Sequence, residues 1–262
     1  MDARWILVAA CGLGAPAAAE PLGEVATLEV LEGWRMPSGQ HMAAVRVRLA
    51  PGWKTYWRSP GDAGIPPYFD FHAAENMAAV AWHWPVPKVF HANGMRSVGY
   101  SGELVLPVEV TPRGTGEVRF AGTVQIGVCE EICIPAMFEF DALLPASGAR
   151  DPAIVAALVD RPMTAEEAGV GRVACRVMPL ADGLRLSAEI EVGRLGASEA
   201  AVIEAGPGIW VSDPEVERAG DRLVVTADLA AQEGPVALDR SAVRVTVLAE
   251  GKGVDIRGCP AG

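Results

Sequence analysis

The sequence predicts an all-β protein of two β-sandwich domains joined by a short helical linker. Short segments rich in β-branched residues recur along the chain, and several alternate a charged with an aliphatic residue. Clusters drawn from 29 glycines and 20 prolines separate them. Alternation with period two gives a strand one wet face and one buried face. Gly and Pro then punctuate the turns, as in a sandwich.

Residues 1–19 read as a signal peptide: Arg4, an apolar run from Trp5 to Leu13, then Ala17-Ala18-Ala19 before Glu20. These are a charged n-region, an h-region and an A-x-A cleavage site. The run is shorter than the about 20 residues a membrane-spanning helix needs, so the mature chain is expected to begin near Glu20, outside the cytoplasm. A rival reading takes Val8-Ala9-Ala10-Cys11 as a lipoprotein site, but only Trp5, Ile6 and Leu7 separate it from Arg4. No later segment is apolar for long enough to cross a bilayer.

Residues 20–147 form the first expected sandwich. Its strand segments are Ala43 to Leu49, Leu104 to Val110 and Glu117 to Phe120. Residues 148–170 form the linker, where Asp151 and Pro152 supply an N-cap and an N1 proline ahead of the run Ala153 to Val159. Residues 171–262 resume the strand pattern at Arg172 to Val177, Leu184 to Ile190, Arg222 to Ala227 and Val243 to Leu248. This second half holds no concentrated polar cluster and is assigned no chemistry.

With 33 acidic and 22 basic residues the net charge is -11, and Asp2 and Arg4 cancel within the signal. That balance argues against nucleic acid or anionic lipid as a partner. There is no G-x-S-x-G elbow, Walker loop, dinucleotide fingerprint or H-E-x-x-H, so a hydrolase is disfavoured.

Four cysteines follow the signal: Cys129, Cys133, Cys175 and Cys259. In an oxidising compartment an even number suggests pairing, here 129 with 133 and 175 with 259. The second pair closes a long loop, worth on the order of 4 kcal/mol on the chain-entropy model, as befits a structural disulfide. The first stands in Val128-Cys129-Glu130-Glu131-Ile132-Cys133-Ile134-Pro135 and is the expected seat of chemistry. Four extended residues would part the Cα atoms by roughly 13 Å, while a disulfide needs about 4.4 to 6.8 Å, so the chain between them must turn. Redox switch, local staple and metal clip are all open to two thiols at this spacing. So short a loop gains little from closure, which weakens the staple.

Glu130 and Glu131 each disfavour a nearby thiolate, by about 1 kcal/mol if solvated, so the pair is expected to pass electrons onward rather than act as a strong oxidant. Lys54, Arg58, Lys88 or Arg96 could compensate if the fold brings one near. For the metal clip, Cu(I) or Zn held by soft sulfur, one of His41, His72, His83 and His91, or a methionine such as Met95 or Met137, would have to join the cysteines. No Cys-x-x-Cys or regular His spacing supports it. Four of the seven tryptophans stand between positions 53 and 84, either as sandwich core or as a shield for the sulfurs.

Gly52-Trp53-Lys54-Thr55-Tyr56-Trp57, Pro60-Gly61-Asp62-Ala63-Gly64, Pro66-Pro67, Trp84-Pro85-Val86-Pro87, Gly99-Tyr100 and the cysteine segment, in that order, resemble the periplasmic N-terminal region of the DsbD and ScsB type of thiol:disulfide interchange proteins. The likeness covers roughly residues 25 to 145. It implies an immunoglobulin-like sandwich whose pair, Cys129 and Cys133, takes electrons from a membrane-embedded thiol protein and reduces disulfide-bearing or thioredoxin-like periplasmic clients, with no cofactor. Trp57, Asp62 and Tyr100 match recurring positions and are candidates for shaping the site. The three-residue gap between the cysteines is shorter than in the DsbD domain, which makes the ScsB-like branch the nearer relative. Membrane and thioredoxin-like regions are missing, so the module is expected to meet its donor in trans. Cys133, flanked by apolar residues, is the favoured attacking thiol.

Overall fold

A computed structural model describes residues 22–61, 64–92 and 94–262. The expected signal peptide, Cys11 and Asp62 lie outside the described residues.

After a single helical turn, α1 (Leu22–Val25), the first half is built from ten strands: β1 (Ala26–Arg35), β2 (His41–Leu49), β3 (Lys54–Tyr56), β4 (Tyr68–Asp70), β5 (Met77–Trp82), β6 (Lys88–Ala92), β7 (Met95–Ser101), β8 (Glu103–Pro112), β9 (Val118–Cys129) and β10 (Cys133–Leu144). One sheet runs in the order β1-β2-β8-β5 and the other β10-β9-β3-β7-β6, with β4 also on β9. Alternation decides which residues meet between them. Val45 and Val47 of β2, Leu106 and Val108 of β8, and Phe120, Val124, Ile126 and Val128 of β9 share one core.

The expected helix is present as α2 (Pro152–Val159), where the Asp151 carboxylate accepts from the Ala153 N–H at 2.7 Å and Pro152 occupies the first turn. It is more than a connection. Ile154 packs with Trp34, Met42 and Ala44, the residues of β1 and β2 that alternate away from the main core. Residues 41–45 are therefore all buried, because the sheet is covered on both sides.

The second half contains β11 (Met163–Thr164), β12 (Val173–Leu180), β13 (Gly183–Glu191), β14 (Ala200–Glu204), β15 (Ile209–Val211), β16 (Glu215–Ala219), β17 (Arg222–Ala231), β18 (Arg244–Ala249) and β19 (Lys252–Arg257). They form sheets β11-β19-β18-β14 and β12-β13-β17-β15, with β16 also on β17. A second core lies here, built on Leu186, Ile190, Leu223, Val225, Val245 and Ile256. Cys175 and Cys259 are buried in it and form a disulfide with Cα atoms 5.4 Å apart. Every strand segment expected from the sequence overlaps an observed strand, with Glu117, Arg172 and Val243 falling one residue ahead of β9, β12 and β18. Among the described residues no helix is long and apolar enough to cross a membrane.

Candidate redox site

β9 and β10 form one long hairpin. Cys129 and Cys133 are its last paired residues, and Glu130-Glu131-Ile132 makes the turn that the spacing demanded. The two are disulfide-bonded across the strands, with Cα atoms 4.1 Å apart. Val124, Ile126 and Val128 point inward, so the alternate residues Gln125, Gly127 and Cys129 belong to the outer face of the sheet. Gln125 is exposed as that face should be, yet Gly127 and Cys129 are buried.

Tyr56 accounts for the difference. β3 lies beside β9 with Lys54 opposite Cys129 and Thr55 opposite Val128, which puts Lys54 and Tyr56 on the sulfur face. The Tyr56 hydroxyl donates to Cys129 Sγ at 2.9 Å and lies 3.2 Å from Cys133 Sγ. Two glycines make room for its ring. A Cβ at Gly127 would come within 2.9 Å of Cδ2, and one at Gly64 within 2.9 Å of Cδ1. Tyr56 is 2% exposed and Cys129 1%, whereas Cys133 is exposed. The two sulfurs of one bond thus face different surroundings. Burial raises the Tyr56 phenol above its ordinary value, which keeps the proton it donates.

The other aromatic candidates lie behind the site. Tyr100 pairs with Thr55 and so faces the core, where its hydroxyl donates to the Pro85 carbonyl at 2.9 Å; burial pushes its phenol well above the usual value. Trp57 is fully buried, with the Arg58 guanidinium over its ring at 3.9 Å. Both candidates for shaping the site are thus core residues of the first half. The residue that is there, Tyr56, had a signal in the alternation Lys54, Tyr56 along one strand, but no sequence feature says that this strand pairs with β9.

Among the four cations expected to offset Glu130 and Glu131, Lys54 is the one on the strand beside Cys129. Its ammonium lies 3.3 Å from Ser97 Oγ and over the Phe90 ring. Arg58 and Arg96 are engaged with Glu204 and Asp213 of the second half, and Lys88 with Ser101. The histidines have other neighbours: His41 Nε2 lies 2.5 Å from the Glu32 carbonyl, His72 is near Asp70 and His83 near Glu109. Met137 is four strand residues beyond Cys133, roughly 13 Å along the hairpin. No group of three or more His, Cys, Asp or Glu among the described residues is placed to hold a metal.

A buried cysteine and an exposed one are joined at a hairpin tip under a phenol, so that attack by an outside thiolate is favoured at Cys133. Residues 26–145 match the family of the thiol:disulfide interchange protein DsbD, N-terminal region. The DsbD-type segment runs from the first residue of β1 to just past the end of β10, and it contains both sulfurs and Tyr56. The fold over 94% of the chain resembles 97% of the N-terminal periplasmic domain of ScsB from Proteus mirabilis, with a TM-score of 0.71 at 23% identity. This likeness extends beyond the DsbD-type segment into the second half. No curated protein sequence matches the chain.

Proposed function

We propose that the chain is a periplasmic thiol:disulfide interchange module that takes electrons from a membrane-embedded thiol protein and passes them to disulfide-bearing clients. The observation that carries this reading is the asymmetry of the Cys129–Cys133 bond, which joins an exposed residue, Cys133, to one buried against the Tyr56 hydroxyl, Cys129. The DsbD family match over the same segment supports it. Export by residues 1–19 fits the compartment in which such a bond persists. The two cores, each built mainly from one half of the chain, favour a redox sandwich at 20–147 and a second sandwich at 171–262, with 148–170 between them.

Each half-reaction follows from access. A donor thiolate bonds to Cys133 Sγ, and the Cys129–Cys133 bond breaks with the electron pair left on Cys129, where the Tyr56 hydroxyl donates to the developing charge. A second donor thiol then displaces Cys133, leaving both cysteines reduced and the donor oxidised. In the reverse direction the Cys133 thiolate attacks a client disulfide and one client sulfur leaves. Cys129 then attacks Cys133 Sγ, which releases the other client sulfur and restores the bond.

Titration of the pair in a series of thiol buffers, with a non-reducing gel for trapped species, tests the reading. Cys129→Ser is expected to accumulate a mixed disulfide through Cys133, and the double Cys129→Ser, Cys133→Ser variant to lose reduction of insulin, used as the client probe. Insulin reduction unchanged in the double variant, or a potential below about -300 mV as for an inert bridge, would reject it. Stoichiometric copper lost in the same variant would point to metal handling instead.

A further inference from the structure

The second half places no side chain against the sulfurs among the described contacts, yet it grips the chain that carries Tyr56. Arg58 follows two residues later. Its Nε donates to Glu204 Oε1 at 3.0 Å and its Nη2 to Oε2 at 2.8 Å. The two side chains are only 16% and 25% exposed, so this forked pair is shielded from the water that makes surface ion pairs weak. Glu204 ends β14 and is itself steadied by Arg244, 4.0 Å away, which is bound to Asp255.

The chain around Arg58 is fixed on its other side by β7. The Trp57 N–H donates to the Val98 carbonyl at 3.0 Å, and the Val98 N–H to the Pro60 carbonyl at 2.9 Å. Arg96, on the same strand, pairs with Asp213 of the second half. Pro60 in turn abuts Gly64, where the Tyr56 ring lies. Movement of Arg58 would be felt at the phenol.

We infer that Glu204 is a positioning residue: by holding Arg58 it fixes the Tyr56 hydroxyl on Cys129 and so sets how fast the disulfide opens. This rests on the exchange reading of the same bond and gives the second half a part in it. The step affected is the departure of Cys129 as a thiolate when an incoming thiolate bonds to Cys133, because a displaced hydroxyl no longer donates to the charge that forms there.

The test is the rate at which dithiothreitol reduces Cys129–Cys133 in the full chain, followed by alkylation and mass analysis of the two cysteine peptides. The reagent's first thiolate forms the mixed disulfide with Cys133, and its second closes to the cyclic disulfide, carrying off the two electrons' worth of oxidation. Glu204→Gln and Arg58→Gln are each expected to slow reduction by about threefold or more, within the range of one lost hydrogen bond. Their combination should be no slower than either alone, and Glu204→Gln should add nothing in a Tyr56→Phe background. A Glu204→Gln rate equal to that of the unaltered chain, or effects that multiply in the Tyr56→Phe background, overturns the inference. Should Glu204→Gln fail to fold, Arg58→Lys keeps the charge but not the fork, and a rate equal to the unaltered chain there overturns it too. A bond that resists the reagent in every variant defeats the exchange reading itself, while equal measurable rates in all of them defeat only the role of Glu204.

Discussion

The value of Tyr56 to thiol exchange depends on its staying protonated while a neighbouring sulfur becomes anionic. An unperturbed thiol ionises near pH 8.5 and a phenol near 10, and burial moves the Tyr56 phenol further up. Across the pH range of thiolate chemistry it therefore remains a donor. Tyr56→Phe is expected to slow reduction of the bond by about tenfold, the rate equivalent of a hydrogen bond to a charged acceptor worth roughly 1.5 kcal/mol, measured with dithiothreitol under stopped flow. Gly127→Ala tests the packing that brings the ring there. Its Cβ would fall 2.8 Å from Ile65 Cβ and 2.9 Å from Tyr56 Cδ2, an overpacking that should lower stability by about 1 to 3 kcal/mol in urea denaturation. The sulfur pair and its turn were legible from spacing alone. Tyr56 was not, because its contact with Cys129 spans 73 residues and depends on a strand order that no local pattern encodes.

At the scale of elements, period-two alternation located β2, β8, β9, β12, β13, β17 and β18, and cap chemistry located α2. The three-residue strands β4 and β15 are too short to show a period, but the longer β1, β5, β6, β7, β10, β14, β16 and β19 were not located from the sequence either, although β10 alternates over 12 residues. Ion pairs between elements were equally hidden. Arg218 of β16 donates to Glu199 at 2.6 and 2.8 Å, with side chains only 7% and 4% exposed. Burial by itself would raise the Glu199 carboxyl, but the hydrogen bonds from Arg218 and from the Leu195 N–H outweigh it and hold the group below its ordinary value. Its contribution is thus fully present above the unfolded value of about 4.3 and fades as pH falls through the lower folded value. Glu199→Gln leaves Arg218 buried without its counter-charge, a loss of about 3 to 5 kcal/mol at neutral pH. Thermal melts should show the gap between variant and parent narrowing below about pH 4.

For the whole molecule, the Cys175–Cys259 bridge joins residues 84 apart in sequence. On the chain-entropy model closing such a loop is worth about 4.5 kcal/mol, against about 2 for a loop as short as the one at the hairpin tip. Cys175→Ser with Cys259→Ser should accordingly lower stability by about 4 kcal/mol in denaturant titration. The sequence shows its strand pattern breaking at Asp151 and resuming at Gly171, and α2 (Pro152–Val159) falls in that interval. What composition could not reveal is how the halves share a seam. Val202 and Leu248, both from the carboxy-terminal strands, are counted among the buried residues of the first core. Cutting the chain after Pro145 to isolate the cysteine hairpin would strip an apolar cover from that core as well as the partner of Arg58, so the excised fragment should be sticky at concentrations where the intact chain stays dispersed.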